Sequence, residues 1–159
     1  MSVRAVLIVP ALALALFATG CGGGSVEKLV PVGGKLVVDG EALDGVIVTF
    51  IPEASQKERR GGAGTTDASG VFTVTDLGQN LPGLPAGKYT VAYSRPRLPN
   101  GAAFPKAEPG KPIDPGIVRV ESLPAHLTTP NQNLPTSQVE IPKEGNTNLE
   151  LKISKRSSR

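Results

Sequence analysis

A chain of 159 residues holds one domain with appendages. Its net charge of +3 is small and unclustered until the last residues, which argues against a nucleic-acid surface. Aromatic residues make up only 4% and tryptophan is absent, so a core must be built from Val, Leu, Ile and Ala; the single cysteine excludes an internal disulfide and the single histidine excludes a zinc site.

The N-terminus has the layout of a secretory signal. Arg4 gives a basic start, Ala5 to Phe17 is a run of 13 apolar residues, and Ala18, Thr19 and Gly20 are small. That run is too short to cross a hydrocarbon core, which needs about 20 helical residues. A signal helix over 1–20 is therefore expected rather than a membrane span. The sequence Ala18-Thr19-Gly20-Cys21 resembles a bacterial lipobox, with Ala18 where leucine is commonest. The resemblance implies cleavage before Cys21, a diacylglycerol on its sulfur and an acyl chain on the new amine. The membrane is then a partner through lipid on Cys21, and residues 21–30, with Gly22-Gly23-Gly24-Ser25, form a flexible tether. Gly22, where aspartate would retain the protein at the inner membrane, implies the outer membrane of a cell envelope. The plain alternative is an ordinary signal peptide with an incidental cysteine.

Residues 31–154 read as the domain, because the apolar pattern there has period two. Leu36 and Val38 share a face, and Asp39-Gly40 signals a turn. Val46, Val48 and Phe50 face one way, with Ile47, Thr49 and Ile51 on the other side, until Pro52 ends the run. Phe72 and Val74 point inward against Thr73 and Thr75. Tyr89, Val91 and Tyr93 repeat the pattern after Pro85 and Gly87. Val139 with Ile141, and Leu149, Leu151 and Ile153, complete it, with Val118 and Val120 as a further short strand. No stretch shows a helical period. The expected fold class is all-β: a small antiparallel β-sandwich of six to seven strands. In "TTDASGVF", Asp67 and Gly70 have the chemistry of a tight hairpin, and Ala68 and Ser69 supply too few oxygens for a calcium loop.

The stretches "GKLVVDGEALDGVIVTFIPE", "TTDASGVFTV" and "LPAGKYTVAYS", with the closing "SQVEI…NLELKI", are similar to the carboxypeptidase regulatory-like, or transthyretin-like, β-sandwich carried by small bacterial lipoproteins. The resemblance covers most of residues 32–94 and 123–153 and rests largely on turn residues, so it speaks for fold more than activity. It also raises two chemistries that the residues do not support. A hydroxyisourate hydrolase of the transthyretin-related type requires several histidines and a C-terminal Tyr-Arg-Gly-Ser, whereas this chain has only His126 and ends in Ser-Ser-Arg. An adhesin-type isopeptide bond between Lys35 and Asn148 requires a glutamate where Tyr93 stands.

The segment 95–136 is a proline-rich insert, with nine of the fifteen prolines lying between Ser94 and Ser137. Arg95, Arg97, Lys106 and Lys111 make its first half basic, and Phe104 is an aromatic candidate. These five residues are the candidate partner-binding loop, since loops on a rigid scaffold carry recognition; a solvated connection with trypsin-sensitive sites at Arg97, Lys106 and Lys111 is the simpler alternative. Residues 155–159 read as a basic tail. The expected function is a non-catalytic, lipid-anchored envelope module, monomeric and without a cofactor, that takes a protein or polysaccharide partner.

Overall fold

Alternating apolar residues form strands because successive side chains project to opposite faces, and only one face needs a core. The computed structural model describes residues 27–56, 60–105, 110, 112–130 and 137–156. Its strands are β1 (Leu29–Val30), β2 (Val32–Val38), β3 (Glu41–Ala42), β4 (Ile47–Pro52), β5 (Gly62–Thr65), β6 (Val71–Thr73), β7 (Thr75–Asp76), β8 (Leu84–Pro85), β9 (Gly87–Ser94), β10 (Pro96–Arg97), β11 (Val120–Glu121), β12 (Gln138–Ile141) and β13 (Asn146–Ile153). A 3-10 turn at Ala54–Gln56 and one helical turn, α1 (Ala125–Thr128), are helical.

The strands form an all-β sandwich. One sheet runs β12-β9-β4-β5-β7, antiparallel throughout, and the other runs β13-β2-β3 with β6 also paired to β2. Their inner faces meet in one core containing Leu36, Val38, Val46, Val48, Phe50, Phe72, Val74, Tyr89, Val91, Tyr93, Ile141 and Leu151. Phe50 of one sheet sits 6.3 Å, centroid to centroid, from Phe72 of the other, and 6.2 Å from Tyr89 at a 76° edge-on angle. Burying such a ring contributes roughly 1.5–3 kcal/mol.

Local chemistry sets the corners. Asp39 and Gly40 both take positive φ, 52° and 91°, which gives the two-residue turn that matches strand twist between β2 and β3. The Tyr89 hydroxyl donates to the Pro85 carbonyl at 2.7 Å, a tyrosine corner that fixes the entry into β9. Asp67 Oδ1 accepts from Ser69 N, Ser69 Oγ and Val71 N, which closes the hairpin before β6.

Four features go beyond the sequence reading. First, the antiparallel expectation fails at one pair, since β13 runs parallel to β2, with Glu150 opposite Lys35 and Leu151 opposite Leu36. Second, Leu29 and Val30 pair with β8, and Val30 is in the core. Third, β5 has no apolar alternation to announce it; a Cβ at Gly62 or Gly64 would strike the Thr75 or Thr73 carbonyl, so closeness replaces side chains there. Fourth, the short strand expected at Val118 and Val120 is β11, confined to Val120–Glu121; it pairs with β10, and α1 follows.

Candidate functional site

The structured part of the insert is fastened to the sandwich by charge. Arg95 and Arg97 flank Pro96 in an extended segment, so both side chains leave on the same side. They converge on Asp44, in the turn before β4. Asp44 Oδ1 accepts from Arg95 Nη2 at 2.6 Å and from Arg97 Nη2 at 2.9 Å. The Asp44 carbonyl accepts from Arg95 Nε at 2.8 Å and again from Arg97 Nη2 at 3.0 Å. Planar guanidinium forks suit this double engagement, and a lysine would not reproduce it. The hydrogen bond from Arg95, helped by Arg97 and opposed by desolvation, holds the Asp44 carboxyl below its usual range.

Glu121 of β11 fastens the other side. Its Oε2 accepts from Ser94 Oγ at 2.6 Å, and its Oε1 from Arg95 N at 2.8 Å and Leu123 N at 2.9 Å. Burial works against this charge, but the hydrogen bonds from Ser94 and the backbone of Leu123, Arg95 and Ser122 outweigh it and lower the Glu121 pKa. The Arg97 side chain is only 11% exposed, and its Nε has no hydrogen-bond partner.

A cleft of about 610 Å³ opens beside this clamp. Its lining is drawn from Asp44, Gly45 and Ile47, from Thr65 to Ala68, from Pro96 and Arg97, and from Ala103 to Pro105. The half-buried Phe104 is the only aromatic residue among the described residues of the lining. Two carboxylates line it, each with Oδ1 already engaged: Asp44 by arginines, and Asp67 by Ser69 and Val71. Their Oδ2 atoms keep lone pairs for a donor, and the Ser69 hydroxyl helps keep Asp67 ionised.

The structure thus brings Arg97 and Phe104 to one cleft, with Arg95 behind Arg97 in the same clamp. Both arginines are committed to Asp44, whose single carboxylate offsets one of their two positive charges. Cys21, Lys106 and Lys111 lie outside the described residues, as do the signal segment and residues 157–159 of the basic tail. His126 Nε2 lies 3.1 Å from the Ser154 carbonyl, joining α1 to the end of β13. Lys35 and Asn148 are exposed on β2 and β13 rather than enclosed together in the core. Among the described residues no group of three or more His, Cys, Asp or Glu side chains could hold a metal ion.

Sequence reasoning missed Asp44 and Glu121, which organise the site. Asp44 precedes Gly45 and reads as an ordinary turn residue; only the Arg-Pro-Arg spacing, two like charges on one side of an extended segment, hinted at a shared counter-ion. Comparison of the chain with protein-family models, with curated proteins and with solved structures finds no match in any of the three.

Proposed function

We propose that the chain is a lipid-anchored, non-catalytic module of the cell envelope, attached through Cys21 to the outer membrane, which offers the cleft beside Phe104 to a polysaccharide. What supports the anchor is the lipobox-like run behind 13 apolar residues. The carboxypeptidase regulatory-like assignment is supported by the succession of turn motifs, which lie in a sandwich. The observation that carries the binding reading is the lining: one aromatic ring and two carboxylates, whose Oδ2 atoms can accept from hydroxyls, share the cleft. A pyranose presents a C–H face to a ring and hydroxyl donors at its rim, the complement of that arrangement. A protein partner needs a larger face than this cleft supplies.

Two measurements test the two halves separately. In a Gram-negative host the chain labels with radioactive palmitate and enters the detergent phase, and Cys21→Ser abolishes both; labelling that survives the substitution removes the anchor. On a glycan array the chain retains a polysaccharide class, and Phe104→Ala weakens retention about tenfold or more, the loss of an aromatic contact of about 1.4 kcal/mol. His126→Ala, remote from the cleft, leaves it unchanged. Retention indifferent to Phe104, or none at all, refutes the binding half.

A further inference from the structure

β13 is the outer strand of its sheet. β2 lies on one side, and among the described residues no strand lies on the other. The Ile153 carbonyl accepts from Asp39 N at 2.9 Å, so Leu149, Leu151 and Ile153 turn their backbone groups toward β2. Glu150 and Lys152 therefore turn theirs outward. The open stretch is short and bounded at both ends. Asn148 N is engaged by Asn146 Oδ1 at 2.9 Å, and the Ser154 carbonyl lies 3.1 Å from His126 Nε2. Between those stops, donors and acceptors of Glu150 and Lys152 face away from the sheet, beside side chains that are 75% and 73% exposed. An unpaired edge of this kind is a template for another strand.

We infer that this edge pairs with the β13 of a second copy of the chain, antiparallel about a two-fold axis through Leu151. Charge selects both occupant and register. A two-fold centred on Glu150 sets carboxylate against carboxylate, and one centred on Lys152 sets ammonium against ammonium. Like charges directly opposite one another are destabilising. Centred on Leu151, Glu150 faces Lys152 of the partner subunit, and Lys152 faces the partner subunit's Glu150. Glu150 and Lys152 then exchange reciprocal main-chain hydrogen bonds on both sides of the axis. The same register sets Asn148 opposite Ser154, so the donor and the acceptor already engaged fall opposite each other and neither is left wanting. The axis stands perpendicular to the sheet, which keeps both apolar faces on one side. The half-buried Leu149 gains the partner subunit's Ile153 as its cross-strand neighbour. Within one copy, Glu150 and Lys152 touch at 3.1 Å across exposed space; such a contact contributes little. The dimer re-uses the same charges across a ladder.

Sedimentation equilibrium of the full chain in detergent tests this. The chain shows a reversible monomer–dimer equilibrium. Glu150→Lys and Lys152→Glu each weaken it about tenfold, because every cross-strand pair becomes like-charged. The double reversal restores dimerisation to within about threefold of the parent, since the partners exchange signs together. Circular dichroism checks that all variants stay folded, as expected for such exposed positions. Three results overturn the inference: a monomer at all concentrations up to about 0.1 mM, an affinity too weak for a specific dimer; a dimer indifferent to the single reversals, as association through the apolar N-terminus gives; or a double reversal as weak as the singles. The first would leave the edge to water or to a different protein, with its charges serving only to repel other strands.

Discussion

Tyr89 and Tyr93 stand four residues apart on the inner face of β9, and their hydroxyls meet different fates. Tyr89 donates to Pro85, so Tyr89→Phe leaves a buried carbonyl short of a donor and costs about 1–3 kcal/mol in chemical denaturation. Tyr93 is equally buried, but its hydroxyl has no partner, and desolvation pushes its pKa up to about 12. The unfolded phenol ionises near its ordinary value of 10.0 while the folded one stays neutral. Stability is therefore intact below that pH and declines as pH rises toward the folded value. Tyr93→Phe should be neutral or stabilising at pH 7 and flatten the alkaline decline of Tm; a loss above about 2 kcal/mol would mean that the hydroxyl has a partner after all. Of the pair, the corner was foreshadowed by Pro85 and Gly87, whereas nothing in the alternation marks Tyr93 as orphaned. The inward readings of Phe50 and Phe72 agree with burial at 0% and 2% exposure. Phe50→Ala should cost about 3–5 kcal/mol, against less than about 0.5 for Thr73→Ala on the exposed face.

At the scale of elements, period-two patterning tells which face of a strand is apolar but not which strand lies beside it or which way that neighbour runs. That is why β2, β4, β6, β9, β12 and β13 were legible and the parallel pairing of β2 with β13 was not. The pairing depends on Gly34, where a Cβ would collide with the Leu149 carbonyl beside the register shift between Asn146 and Leu149. Gly34→Ala should cost about 1–3 kcal/mol and speed amide exchange in β13 ahead of β9, read by hydrogen exchange. The strand β5 escaped notice for the opposite reason, since its glycines are there for what they leave out. The insert carries its own element-scale test. With Arg97 clamped to Asp44, its peptide bond resists trypsin; Asp44→Ala should raise cleavage after Arg97 about fivefold to tenfold, the factor given by about 1–1.4 kcal/mol. Equal cleavage in both proteins would show that the clamp does not restrain the segment.

For the molecule as a whole, acid is the informative stress. The Ser154 hydroxyl lowers the Asp39 pKa at the end of β13, Arg95 and Arg97 lower that of Asp44, Ser69 that of Asp67, and hydrogen bonds hold Glu121 down against its burial. Each group binds protons more weakly folded than unfolded. Their contribution is present above the ordinary carboxylate range and is lost as pH falls through the folded values. Tm should stay level from pH 7 to about 5 and fall below about 4, with the insert loosening before the sandwich; a Tm level down to about pH 2 would contradict the assignment. These four carboxylates link residues as far apart as Asp39 and Ser154, or Asp44 and Arg95, and such distance is why the clamp was illegible while the sandwich was not. A core face repeats along the sequence; a single ion pair across the fold leaves no period to read.

The side-by-side run of β2 and β13 has a mechanical consequence. Both strands point the same way, so the chain enters the pair at the Val32 end and leaves it at the Ile153 end, the opposite extremity. A pull between the chain ahead of β2 and anything gripping the C-terminal end draws the two strands lengthwise past each other. Every rung from Gly34–Leu149 to Val38–Ile153 is then loaded at once, and none can be unzipped singly. Antiparallel neighbours such as β2 and β3, joined by the Asp39-Gly40 turn, would instead peel rung by rung from the free end. Pulled from its ends, the domain should hold as a shear joint, with its strongest direction along the line of the two strands.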